Sequence, residues 1–196
     1  MRALLLSGLL LCSGSAGAQL DQAIPEAALR EPWDRQLAVL QSLSGSIAAA
    51  PSDARAQVDD ALAILQVTLG EFELQVDRVI DRMIGDAQFA YVAAETSQEL
   101  SVQLAEIHAR FETLYTVLGV QARSDVRAAQ TSLDRLREIL QTKTPFERDV
   151  MQASGFMQRR GELATRWWNG EERAIAVRAL VAALRAKLAV LVPATA

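Results

Sequence analysis

Between residues 52 and 119 the hydrophobic positions follow a seven-residue repeat that no proline interrupts. Leu62, Leu69, Val76, Met83, Ala90, Ser97, Leu104, Phe111 and Leu118 occupy one position of the repeat. Leu65, Phe72, Val79, Asp86, Ala93, Leu100, Ile107 and Leu114 occupy its partner. Only Asp86 and Ser97 in this set are polar, although the chain as a whole is only 51% hydrophobic. The pattern predicts one very long helix with a coiled-coil-like seam. The phase of the repeat passes through Gly85 and Asp86 without a shift, which argues for a continuous helix there.

The seam is too wide for a two-stranded zipper. Ile80, Ala87, Phe89, Ala94, Tyr115 and Val117 flank it beside Glu73, Arg82 and Arg110. A wide apolar face suits packing against several helices. Trp33, Leu37, Leu40 and Ile47 predict a first helix over residues 32–48, with Pro32 at its first position. Ser52 is placed to cap the long helix. A helix opening at Ser124, with Asp125 in its first turn, presents Val126, Ala129, Leu133, Leu136 and Leu140 as one stripe. Thr144, Pro145 and Glu147 form a capping box for a helix through Phe146, Val150, Ala153, Met157, Ala164 and Trp167 or Trp168. Asn169 and Gly170 break it. Ile175, Leu180, Leu184, Leu188 and Leu191 predict a last helix, stopped by Pro193. No strand-like alternation of useful length occurs. The expected fold class is all-α: an elongated helical bundle of about five helices, organised on the very long heptad-patterned helix. It forms a single domain over residues 32–192, after a lead-in at 19–31.

Lengths suggest an exposed seam. The long helix would span about 100 Å, while each later helix spans roughly 27 to 36 Å. Those helices would fold back over its C-terminal part. Leu62, Leu65, Leu69, Phe72, Val76 and Val79 would then lack cover within one chain. Uncovered stripes of this kind mark partner surfaces. The expected partner is a second copy or another envelope protein.

The first eighteen residues change the picture of where the chain works. Arg2 gives a positive start, residues 3–11 a short apolar run, and Ala16 with Ala18 an A-x-A site. This reads as a cleaved signal peptide and an exported, periplasmic product in a bacterium. Cys12 is the only cysteine and lies inside that segment. Lipidation there is disfavoured, because Leu11 is large where a small residue precedes a lipoprotein cysteine. The mature chain then has no thiol, hence no disulfide or zinc–thiolate site. No later segment is apolar enough to form a transmembrane helix. The net charge of −4 argues against a nucleic-acid partner, which would require a basic stripe.

Candidate chemistry is sparse. His108 is the only histidine, and it reads as a partly buried residue on the flank of the seam. A di-iron bundle needs two Glu-x-x-His elements, and attached haem needs Cys-x-x-Cys-His; neither motif stands here. Asp77 and Asp81, interleaved with Arg78 and Arg82, read as a solvated, self-paired helix face. No nucleophile elbow and no glycine-rich phosphate loop occurs. No catalytic residue, metal site or cofactor is therefore expected. Arg159, Arg160, Arg166, Trp167 and Trp168 form the most distinctive cluster, suited to an interface or an anionic ligand. The sequence thus points to a non-enzymatic scaffold, adaptor or chaperone-like protein acting through protein–protein contacts. The alternative is a bundle that binds a small anionic ligand as a sensor or carrier.

Overall fold

The computed structural model describes residues 26–85, 89–141 and 175–190, with side chains placed for 27–78, 98–141 and 175–190. Most of these residues lie in five helices, and no strand occurs among them. The helices are α1 (Glu26–Ala48), α2 (Ser52–Gly85), α3 (Phe89–Val117), α4 (Ser124–Gln141) and α5 (175–190).

The very long helix is not formed. Helix α2 stops at Gly85, α3 starts at Phe89, and the two lie side by side. The Gln75 amide donates to Glu99 Oε2 at 2.7 Å. Along a continuous helix those residues would be about 36 Å apart. The chain therefore reverses between Gly85 and Phe89, and α2 and α3 run antiparallel. Glycine and aspartate are the residue types that stop and restart helices, and both stand at the break. Three residues separate the two helices in the sequence, close to the ~3.6 of one helical turn, so the heptad phase survives the reversal.

Antiparallel neighbours build the rest. Helix α3 packs on α4, and α4 packs on α1. Gln36 Nε2 donates to Gln130 Oε1 at 2.9 Å, and Arg123 Nη2 donates to Ser42 Oγ at 3.2 Å, which orients α1 against α4. Trp33 of α1 meets Phe72 of α2 with ring centroids 5.3 Å apart. Helix α5 lies along α2 through Arg178–Glu73 at 2.8 Å and Arg185–Asp59 at 2.9 Å. One hydrophobic core draws on all five helices.

This arrangement covers the expected open seam. Leu62, Leu65 and Leu69 are completely buried, and Phe72 and Val76 nearly so, by the chain's own helices. The hairpin brings α3 onto the part of α2 that a straight helix would have left bare. Val79 lies outside the residues with described side chains.

Local expectations fare unevenly. The α4 stripe of Val126, Ala129, Leu133, Leu136 and Leu140 is buried as its spacing predicts. Gly119 adopts φ 68°, Gly119 N donates to Thr116 O, and Val120 N donates to Tyr115 O. Those two bonds are a Schellman closure of α3, which needs a residue free to take a left-handed conformation. Helix α1, in contrast, already covers Glu26, so Pro32 lies inside it. Pro32 has no N–H for the Ala28 carbonyl. Burial of Leu29 and Trp33 on either side offsets that lost bond. Ser52 is the first residue of α2 and Pro51 takes the cap position, because Arg55 N donates to Pro51 O as the first helical bond. In α5 the buried face is Val177, Val181, Leu184 and Leu188, while Ile175 is exposed.

Candidate functional site

One set of polar groups inside the bundle links neighbouring helices. Tyr115 of α3 donates its hydroxyl hydrogen to Gln36 Oε1 of α1. Gln36 donates onward to Gln130 of α4, whose amide donates to the His108 carbonyl at 3.2 Å. Three helices are thus tied by one chain of hydrogen bonds in low-dielectric surroundings, where an unpaired amide is costly. Burial pushes the Tyr115 phenol well above the ordinary tyrosine range, and the Asp125 charge adds to that. His108 is partly buried on the α3 flank, as the sequence suggests, with Nε2 3.3 Å from Asp134 Oδ2.

A second polar contact joins α5 to α2. Glu73 is nearly buried; its Oε2 pairs with Arg178, while Oε1 finds no partner. Burial raises its pKa above 4.5, Arg178 opposes that, and Asp77 adds to it. Gly70 makes room for the arginine: a β-carbon there would stand 3.0 Å from Arg178 Nη1.

Among the described residues, two shallow grooves lie near the N-terminal half of α1. One, of about 600 Å³, is lined by Ala27, Arg30, Glu31, Asp34, Arg35 and Ala38. The other, of about 230 Å³, lies between α1 and α4, with Arg35 and Arg135 on its walls. Glu31 holds Arg35 in an ion pair at 2.6 Å, which offsets part of the positive charge there. Among the described residues, no group of three or more His, Cys, Asp or Glu side chains stands close enough to hold a metal ion. No described helix is long and apolar enough to cross a membrane.

The sequence-predicted site residues separate into two sets. Leu62, Leu65, Leu69, Phe72 and Val76 come together, but as core. Arg159, Arg160, Arg166, Trp167 and Trp168 lie outside the described residues. Asp77 and Arg78 are exposed, consistent with a solvated face.

A surface that the sequence reading passed over lies on the far side of α2. Ile64 is 46%, Val67 61% and Leu74 59% exposed, and Val102 of neighbouring α3 is 66% exposed. Asp60, Glu71 and Arg78 complete the same helix face, and all are exposed. The signal was available: residues 60, 64, 67, 71, 74 and 78 form a second heptad series on α2. The richer buried series masked it.

Comparison with protein-family models, with curated protein sequences and with solved structures finds no match to this chain.

Proposed function

We propose that the protein is an exported helical scaffold, adaptor or chaperone-like protein, without enzymatic activity, that works through protein–protein contacts in the bacterial envelope. The outer face of α2 carries this reading. Ile64, Val67 and Leu74 present branched aliphatic side chains to solvent at heptad spacing. Single exposed aliphatics are ordinary, but a row on one helix face is the usual form of a helix-docking surface. The interior supports the same reading from the other side. Tyr115, Gln36 and Gln130 tie three helices together, which suits a rigid body that presents a surface. The charged start, short apolar run and Ala16/Ala18 site of the first eighteen residues support the periplasmic assignment.

The test is co-purification from envelope extracts with the parent chain and with a Val67→Glu plus Leu74→Glu variant. Both positions are exposed, so the variant keeps its fold. A partner, or a second copy, that is retained by the parent and lost with the variant supports the reading. Equal retention by both would overturn it.

A further inference from the structure

We infer that the outer heptad face of α2 pairs with the same face of a second copy of this chain, antiparallel and about a two-fold axis. This deepens, and rests on, the reading of that face as a contact surface. Asp60, Ile64, Val67, Glu71, Leu74 and Arg78 are all exposed and lie alternately four and three residues apart. That alternation keeps the six side chains on one narrow stripe, opposite the buried seam.

The order of residue types selects both the partner and its direction. Centre an antiparallel pair midway between Val67 and Glu71. Asp60 then faces the partner's Arg78, Ile64 faces the partner's Leu74, and Val67 faces the partner's Glu71. The two-fold axis repeats each contact. An acid stands at one end of the stripe and a base at the other, with Ile64, Val67 and Leu74 between them and Glu71 beside the centre. A parallel pair would set Asp60, Glu71 and Arg78 each against its own copy, and like charges in register repel. A two-fold interface must be self-complementary, and the charged ends and the Ile64–Leu74 contacts of this stripe are so only in the antiparallel direction.

The same geometry sets the strength. The stripe runs over about 27 Å of helix. One helix pair of that length buries less than the roughly 1,200 Å² of a standard stable interface. The dimer is therefore weak and concentration-dependent. Glu71 limits it further: the two copies of this carboxylate flank the axis, offset by about 6 Å along it. Glu71→Gln removes that repulsion and tightens the pair.

Sedimentation equilibrium of the purified full chain, at low and high salt, tests the assignment through a charge swap. Asp60→Arg alone sets arginine against Arg78 at both ends, and Arg78→Asp alone sets acid against Asp60. Each weakens dimerisation by about tenfold at low salt, because two rim pairs change from attractive to repulsive. The double variant D60R/R78D restores the parent's association. An equal mixture of D60R and R78D forms mixed dimers more tightly than either single variant self-associates. The assignment is overturned if the single variants match the parent, if the double variant fails to recover, or if the chain stays monomeric. A monomer that captures another envelope protein through Val67 and Leu74 overturns the second-copy assignment while leaving the contact-surface reading standing. A monomer whose melting point falls sharply with Val67→Glu means that the chain covers the face itself, and both fall.

Discussion

Arg178 lies across Gly70: a β-carbon at residue 70 would stand 3.0 Å from its Nη1, while its Nη2 reaches Glu73 Oε2 at 2.8 Å. The glycine sits in the middle of α2, where it is a poor helix former. Its value there is the missing side chain, which lets a guanidinium from α5 approach the helix and pair with a carboxylate one turn on.

Gly70→Ala is expected to depend on Arg178. Alanine gains about 1 kcal/mol in helix propensity. With Arg178 present, the flexible end of that side chain must move a few tenths of an ångström, which consumes part of the gain and loosens the Glu73 pair. With Arg178→Ala the full gain appears. Denaturant unfolding of the four members of this double-mutant cycle should show positive coupling between Gly70 and Arg178 in the parent. Additive effects would mean that the two residues do not touch.

Glu73 adds a pH dependence of known sign. Its folded-state pKa lies above 4.5, mainly through burial. The folded state then holds its proton to higher pH than the unfolded state does. Stability from this group is greatest below 4.5 and is lost as pH rises through the higher folded value. Glu73→Gln cannot titrate. The stability difference between parent and variant should therefore favour the parent more at pH 4 than at pH 7. Urea midpoints at the two pH values are the check, and a constant difference would contradict the burial of this carboxyl.

Gln36 is completely buried and holds both Tyr115 and Gln130. Gln36→Leu leaves the Tyr115 hydroxyl and the Gln130 amide oxygen without their partner, at about 2 to 4 kcal/mol together. Adding Tyr115→Phe removes one of those orphans and recovers part of the loss. The phenol sets a second expectation. Its folded pKa is raised far above 10.0, so stability is intact below 10.0 and falls as pH climbs past it. Tyr115→Phe should flatten that alkaline decline, followed by circular dichroism.

The two faces of α2 should respond oppositely to charge. Leu69→Glu plus Phe72→Glu places two carboxylates in the core, each costing several kcal/mol unless protonated. Domain stability is about 5 to 15 kcal/mol, so helical signal at 25 °C should collapse. Leu65→Ala is milder, at about 2 to 5 kcal/mol. Val67→Glu plus Leu74→Glu, on the outer face, should leave the melting point of the monomer within a few degrees. A folded Leu69→Glu, Phe72→Glu variant would contradict the intramolecular seam.

The sequence by itself determined what depends on neighbours along the chain. The all-α class follows from a 3.6-residue periodicity that reads the same in any tertiary setting. The α4 stripe, its start at Ser124 and the closure of α3 at Gly119 are likewise legible, since each is set within about five residues. Tertiary structure alone decided whether residues 52–119 form one helix or two. A heptad pattern records which face is apolar, and a three-residue spacing between α2 and α3 leaves that record unchanged. That one reversal turned Leu62, Leu65, Leu69, Phe72 and Val76 from an expected docking surface into core. Contacts such as Tyr115–Gln36 and Arg178–Glu73 join residues far apart in the chain. No local spacing encodes such pairs, because each exists only once packing has set the two helices side by side. The outer face of α2 lies between these cases: its heptad is written in the sequence, but only the packed bundle decides which of two apolar stripes remains in water.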